Sequence, residues 1–357
     1  MMKFKKIMSF ALLLVSPLSY SDNIHYKNLL ALHSQYEKGL KIYKDNQTIE
    51  SNGIGYLIKD SNIVFDCHNA VIDGGGKVST GLLIESYGQD IHNITIKNCT
   101  FKNFKYNGIR IGWGIPDVLK NTIPKQERYN FHPNKITIDN VKIENSGTVG
   151  LYIDDYVSNV VVKNSMISNS GAPAIYLEFS SRNNTIDNNV FVNNGYNKKR
   201  GSREAISVDG SYSNLITKNI FKNNALGGIF LYKNCQEQSS KGNAPIRLDG
   251  ADYNNISENN FINEKIGIWI ASRQSKDLSK WDCGDKPMYS NKYYQDYADH
   301  NKLIKNYFHN VSKGIIVEGD YNIIEKNNFD KKDNSIIFPY TKRALYLNKP
   351  QVGNIVE

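Results

Sequence analysis

Three acidic residues could do chemistry together in this sequence. Asp154, Glu178 and Asp209 take the same place in successive copies of a short phrase of alternating apolar and polar residues. If each phrase is a strand in a parallel stack, Glu178 and Asp209 lie roughly 5 Å apart, and Asp154 and Asp209 lie roughly 10 Å apart. Carboxylates at such spacings can act as acid, base or nucleophile, or could bind Ca²⁺. Unless a cation lies between them, we expect one to have a raised pKa.

Cationic residues follow the same phrases. Lys233 comes directly after Tyr232, which shares the carboxylate position, and Arg273 lies just beyond the next phrase. Such groups could neutralise the carboxylate of a uronic acid and remove its C5 proton, and a tyrosine could protonate the leaving oxygen. The predicted catalytic group is therefore Lys233, Arg273, Tyr232, Glu178 and Asp209.

An aromatic column lies two positions before the acidic one. Strand alternation turns both columns outward, together with Ala271. Exposed rings stack on sugar faces, whereas Tyr and Phe are also common in strands and could pack under inserted loops; both interpretations stay open. With two arginines from nearby loops, the candidate substrate-binding residues are Tyr152, Asp154, Tyr176, Arg182, Arg203, Phe230 and Trp269.

Short strands in a repeat must position these side chains. The phrase returns at Gly81, Gly108, Gly150, Ala174, Ala205, Gly228, Gly267 and Gly314. A large apolar residue closes a second run in each unit, at Phe101, Ile143, Ile167, Phe191, Phe221, Phe261, Phe308 and Phe329. The shortest spacings between these closing residues are 21 and 24 residues. Because the runs are short, alternating and separated by Asn, Gly and Ser, they predict strands rather than helices.

An asparagine column predicts how the units stack. Two positions before the closing residue stand Asn189, Asn219, Asn259, Asn306 and Asn327. Amides repeated at one offset are expected to hydrogen-bond from one strand to its copy at the strand spacing of about 4.8 Å.

At this point the chain resembles the right-handed parallel β-helix proteins over about residues 50–345. Residues 171–191, with Ala174-Ile-Tyr-Leu-Glu and Asn188-Asn-Val-Phe, look like repeats of the carbohydrate-binding and sugar-hydrolase group, which includes NosD-like proteins. The resemblance implies an all-β, single-stranded right-handed β-helix of about ten coils. It also implies lyase, epimerase or polygalacturonase-like architecture, although the Asp-Pro-His signature of mannuronan epimerases is absent. Only the Asp154-Asp155 pair matches the polygalacturonase pattern.

Four insertions predict a binding groove. They cover about residues 113–134, 195–203, 234–252 and 272–300, and all adjoin the same strand of the repeat. Long loops that rise from both edges of one strand stack would form walls around a groove above it. Two insertions carry Cys235 and Cys283, which predicts a disulfide between them. Cys67 and Cys99 could form a bridge or remain stacked thiols.

The termini predict export. Residues 1–21 have a lysine-rich start, an apolar run and a small-residue end, as expected of a cleaved signal peptide. Residues 22–49 predict a helical cap, and residues 346–357 a C-terminal tail. Removing Lys3, Lys5 and Lys6 lowers the formal charge from +9 to +6, which indicates an acidic polymer as partner rather than nucleic acid. We expect a secreted or periplasmic monomer without membrane insertion.

Together these patterns predict a lyase that cleaves a linear acidic polysaccharide by β-elimination. Alternatives are a glycoside hydrolase that uses Asp154, Glu178 and Asp209, a C5-epimerase, and a NosD-like glycan-binding or accessory protein without turnover. The same three carboxylates are the predicted ligands if Ca²⁺ is a cofactor. Copper delivery is not expected, because the 7 His and 5 Met form no cluster.

Overall fold

The structure, a computed structural model, describes residues 54–114, 117–197, 201–242 and 244–357. The predicted signal peptide and helical cap lie outside these residues. The described chain winds through coils that place short parallel strands on three faces, as the repeat predicts.

One face is a sheet of ten parallel strands, which we call the site sheet. Its length confirms the prediction of about ten coils. In order across the sheet, the strands are Ile54–Ile58, Thr80–Glu85, Asn107–Gly112, Leu151–Ile153, Ile175–Leu177, Glu204–Asp209, Gly227–Tyr232, Ile266–Ile270, Lys313–Val317 and Ile336–Ile337.

The other two faces meet at a corner that the strands His92–Lys102 and Asn134–Glu144 cross without a break. The second face also contains Ile63–Asp66, Ser158–Lys163, Thr185–Asp187, Leu215–Thr217, Asn255–Ser257, Lys302–Ile304, Ile323–Glu325 and Ile355–Val356. The third contains Val71–Asp73, Met166–Ser168, Val190–Val192, Ile220–Lys222, Asn260–Ile262, Tyr307–His309 and Asn328–Phe329. Asparagines such as Asn164 (φ 51°) and Asn188 (φ 54°) turn this corner in the left-handed region, which Asn tolerates well.

Elements outside the coil are small. The insertions contain two hairpins, Tyr196–Asn197 with Gly201–Ser202 and Pro287–Tyr289 with Tyr293–Tyr294. The α-helices are Asp117–Lys120, Lys125–Arg128 and Lys342–Leu347, and the 3₁₀ turns are Tyr129–Phe131 and Ser239–Lys241. None of the helices in the described ranges has the length and apolar character needed to cross a bilayer.

The predicted closing residues fill the interior. Phe191, Phe221, Phe261, Phe308 and Phe329 stack in one column with centroid separations of 5.0, 4.8, 4.9 and 4.6 Å. Each ring therefore stacks on its copy on the next coil, and all except the last, the half-buried Phe329, are buried from water.

The predicted asparagine ladder is confirmed. The Nδ2 of Asn219 donates to Oδ1 of Asn259 at 2.9 Å, and Asn189, Asn259 and Asn306 each donate to the next member at 3.0 Å. Two further ladders were not predicted: Asn184, Asn214, Asn254, Asn301, Asn322 and Asn354, and Asn194, Asn224 and Glu264.

Two segments differ from the expected pattern. Ala271 does not point outward: its φ is 57°, its side chain is fully buried in the coil, and the strand has already ended at Ile270. The expected tail also takes part in the coil, because Ile355–Val356 pairs with the strand Ile323–Glu325. The helix Lys342–Leu347 spans the boundary expected at residue 345.

Candidate functional site

A groove runs over the site sheet. One part is a cleft of about 690 Å³, lined among others by Arg110, Tyr152, Tyr176 and Arg203. A second part, of about 400 Å³, shares Tyr176 and Arg203 and is walled by insertion residues that include Glu237, Gln238, Lys280 and Trp281. The shared residues make the two clefts one continuous groove.

Two tyrosines lie on the groove floor. Tyr152 and Tyr176 occupy paired positions on adjacent strands, and their half-buried rings stack with centroids 5.2 Å apart and planes 7° from parallel. The guanidinium of Arg110 lies 5.4 Å from the Tyr152 ring. These rings can offer a flat apolar surface to a sugar.

The remaining aromatic residues of that column pack against side chains of neighbouring strands in the site sheet. Phe230 is 1% exposed and forms an apolar cluster with Trp269, Ile266 and Ile316. It cannot contact a substrate in this structure, so its predicted binding role is wrong. Trp269 is half-buried, and its indole N–H donates to Glu318 at 2.9 Å.

Glu178 and Asp209 are brought together, with Arg247 between them. Arg247 donates through Nη2 to Glu178 at 3.1 Å and through Nη1 to Asp209 at 2.9 Å. The hydroxyl of Tyr152 donates to Glu178, and that of Tyr176 donates to Asp209 at 2.7 Å. Asp209 also accepts from Asn234, and it is fully buried.

Glu178 is the carboxyl best suited to exchange a proton near neutral pH. Burial raises its pKa to about 7, with Asp209 adding to the rise and Arg247 opposing it. Its side chain retains 10% exposure beside the floor tyrosines. Burial also raises the pKa of Glu237 in the second cleft. A carboxyl with a pKa near the working pH is suited to general acid–base catalysis.

Asp154 belongs to a different cluster. It accepts from Nη2 of Arg110 at 2.6 Å, and its neighbour Asp155 forms a buried ion pair with Lys120 at 2.6 Å. Burial alone would raise the pKa of Asp154, but Arg110 and Lys120 hold it below its usual value. Asp154 is therefore an ionised partner of Arg110.

Arg203 and Arg273 lie where a substrate anion could reach them. Arg203 pairs with Glu204 at 3.0 Å and donates to Tyr232 at 3.0 Å. Arg273 donates to Asn234 at 3.0 Å and lies 3.9 Å from the centroid of the Tyr232 ring. Both line the second cleft.

Three predicted site residues do not line the groove. Tyr232 is fully buried beneath Arg273, and burial raises its pKa, so it cannot protonate a substrate directly. Lys233 pairs with Asp285 at 2.9 Å and lines neither cleft, because the residue after an outward position turns away from the groove. Arg182 lies over the Tyr129 ring, 3.6 Å from its centroid, at the edge of the second face.

The carboxylates do not form a fitting Ca²⁺ site in this arrangement. Arg247 already bridges Glu178 and Asp209, and Asp154 accepts from Arg110. Across the described ranges, no group of three or more His, Cys, Asp or Glu side chains is arranged to hold a metal ion.

The residues that sequence reasoning missed come from one insertion. Asn234, Glu237 and Arg247 all lie in residues 234–252, outside any strand alternation that could predict their direction. The insertion itself was the available signal, because long loops in repeat proteins often carry function.

Both cysteine pairs are joined. Cys235 and Cys283 form the predicted disulfide between two insertions, with Cα atoms 5.3 Å apart. Cys67 and Cys99 also form a disulfide, which decides between the two alternatives. Two disulfides fit an oxidising, extracytoplasmic compartment.

Comparison with known proteins concerns mainly the fold. Residues 126–244 match the family described as a right-handed β-helix region, and no curated protein has a significantly similar sequence. The A-module of a mannuronan C-5 epimerase from Azotobacter vinelandii superposes with a TM-score of 0.51 at 12% identity, covering 90% of this chain and 93% of that chain. An alginate lyase from Paenibacillus superposes with a TM-score of 0.48 at 12% identity, covering 72% and 74%.

The superposition on the epimerase A-module shows a common fold, and the activity has to be argued from the site. The parallel coils, the ladders and the family match agree on that architecture. The chain folds as a right-handed parallel β-helix.

Proposed function

We propose that this protein is an exported lyase that cleaves a linear, uronate-containing polysaccharide by β-elimination. The observation that carries the proposal is the position of Glu178. Glu178 lines neither cleft itself, but it contacts Tyr152, a half-buried residue of the first cleft, and burial raises its pKa to about 7.

The groove suits a chain of acidic sugars. The stacked rings of Tyr152 and Tyr176 offer a platform for sugar faces, and Arg203 and Arg273 offer charge to a uronate carboxylate. Neutralising that carboxylate makes the adjacent C5 proton more acidic, because the negative charge that develops during its removal is stabilised.

The elimination requires one base and one acid. Ionised Glu178 accepts the C5 proton, and the electron pair of the C5–H bond forms the C4–C5 double bond. The bond from C4 to the glycosidic oxygen breaks, and the Tyr152 hydroxyl protonates the departing oxygen. Because Tyr152 is hydrogen-bonded to Glu178, the captured proton can pass to the phenolate and restore both groups.

The substrate class has support from the architecture. One solved structure that shares the fold across most of both chains is the A-module of a mannuronan C-5 epimerase. Epimerisation and β-elimination both start with removal of a C5 proton from a uronate, so one site geometry can support either outcome.

A glycoside hydrolase is the second candidate. A carboxylic acid with a raised pKa beside an ionised carboxylate is the arrangement that such enzymes use, and Glu178 with Asp209 resembles it. Burial of Asp209 disfavours the hydrolase, since the second carboxylate must reach the sugar as a nucleophile or activate a water molecule beside it.

Incubation with a panel of acidic glycans tests the proposal. We expect new reducing ends together with the ultraviolet absorbance of an unsaturated uronate, and loss of both in Glu178→Gln. Glu258→Gln, at an exposed corner of the coil, is the matched control and should retain wild-type turnover. Reducing ends without the absorbance would indicate the hydrolase, and a changed uronate configuration without cleavage would indicate an epimerase.

A further inference from the structure

The geometry points to Arg247 as a positioning residue for Glu178, an inference that rests on the function proposed above. In this role Arg247 orients the Glu178 carboxylate toward the groove and keeps it available to accept a proton. It does so without contacting the substrate itself.

The contacts of Arg247 fix its guanidinium from several sides. Its two terminal nitrogens reach different carboxylates, Glu178 at 3.1 Å and Asp209 at 2.9 Å. The plane of the guanidinium lies over Phe179, 4.6 Å from the ring centroid. Only 7% of the side chain is exposed, so both ion pairs are shielded from water and sensitive to geometry.

The hydrogen bonds of Asp209 fix Arg247, and Arg247 in turn fixes Glu178. Asp209 accepts from Asn234 Nδ2 at 2.8 Å and from Tyr176 at 2.7 Å, so it is fixed independently of Arg247. Asp209 then holds one end of the guanidinium, and the other end holds Oε1 of Glu178. The second oxygen of Glu178 contacts Tyr152, the proposed acid.

Two insertions together place Arg247. Asp249, two residues further along the same insertion, pairs with Lys125 of insertion 113–134 at 2.5 Å. It also accepts from Ser180 at 2.6 Å, and Asn121 donates to the carbonyl of Ala244 at 3.2 Å. The insertion that carries Arg247 is therefore attached both to the coil and to the facing insertion. These contacts fix the position of Arg247 beside Glu178.

Removing Arg247 changes the charges that face Glu178. The groups around this carboxyl are Arg247, Asp209, Glu237, Arg110 and the Tyr152 phenol. Without Arg247, two carboxylates face Glu178 and its nearest counter-charge is gone. Glu178 should then retain its proton to a pH higher by about 1 to 3 units, because loss of a close opposite charge disfavours the ionised form.

The test compares Arg247→Lys and Arg247→Gln with Arg343→Lys. Arg343 is the matched control, since it is a buried arginine that binds Asp320 through two nitrogens at 2.7 and 2.8 Å and lines neither cleft. In the pH profile of kcat/KM on the cleaved glycan, we expect the rising limb to move upward by about 1 to 3 pH units in Arg247→Gln. Arg247→Lys, which retains one charge, should move it less, and Arg343→Lys should leave the midpoint unchanged.

A profile that keeps its midpoint in Arg247→Gln, with a loss of melting temperature equal to that of the control, would overturn the inference. A titration of ¹³C-labelled glutamate by NMR, with Glu178→Gln to assign the signal, gives the same comparison without substrate. If no acidic glycan is turned over, the proposed function fails. The NMR titration then still decides whether Arg247 sets the pKa of Glu178.

Discussion

Glu264 ends an asparagine ladder as a buried carboxyl, and its replacement by glutamine should stabilise the protein at neutral pH. Asn224 donates to Oε1 of Glu264 at 2.7 Å through its side chain and at 3.2 Å through its backbone. The residue is 1% exposed, and Oε2 has no hydrogen-bond partner among the described residues. Burial raises the pKa of Glu264 to about 8 despite the two bonds from Asn224.

The size of the effect follows from the two pKa values. The folded-state pKa lies above the unfolded value near 4.5, so the contribution of Glu264 to stability is fully present below about pH 4.5. It is lost progressively as the pH rises toward about 8. At about pH 7, roughly 2.5 pKa units of 1.36 kcal/mol correspond to a loss of about 3 kcal/mol.

Glu264→Gln retains the acceptor for Asn224 and removes the ionisation. The difference in unfolding free energy between variant and wild type should be near zero at about pH 4 and reach about 3 kcal/mol in favour of the variant at about pH 7. Urea unfolding followed by circular dichroism measures it, and Glu258→Gln is the exposed control. Parallel pH curves for wild type and Glu264→Gln would refute the assignment of a neutral, buried acid at this position.

Further predictions concern the ladder, the loops and the groove. Asn219→Leu should lower the free energy of unfolding by about 3 kcal/mol or more, because the four hydrogen bonds that this amide makes with Asn189, Asn259 and Ile186 are lost; urea unfolding checks this. Reduction of the Cys235–Cys283 bridge should increase hydrogen exchange in the two insertions before it affects the coil, and uniform exchange would count against this. Arg273→Ala should lower kcat/KM by about a hundredfold if it binds the uronate carboxylate, and steady-state kinetics would show an unchanged value if it does not.

The coil could be predicted because its signals are periodic. Each copy of Asn189 or Phe191 lies directly above the previous one, so identity at a fixed offset indicates stacking. Strand register also brought Glu178 beside Asp209, as strand spacing predicts. Both predictions follow from the backbone repeat alone, because it places equivalent residues of successive coils next to each other.

The chemistry of the site depends on insertions that have no period. Arg247, which binds both carboxylates, comes from a loop whose path is fixed by Asp249 and the facing insertion. Tyr232 is buried beneath Arg273, and Lys233 pairs with Asp285; both partners come from insertion 272–300. Alternation identifies the side chains that leave the coil, whereas the loop path decides which of them meet a substrate.

In the proposed function, an acidic glycan binds in the groove above Tyr176 with its reacting sugar at Glu178. A crystal structure of Glu178→Gln with an acidic oligosaccharide that the wild type cleaves tests it most directly. We expect a sugar ring over Tyr152 and Tyr176, a uronate carboxylate against Arg203 or Arg273, and the C5 hydrogen directed at the glutamine side chain. An oligosaccharide bound away from this groove, or one whose C5 hydrogen faces a different side chain, would contradict it.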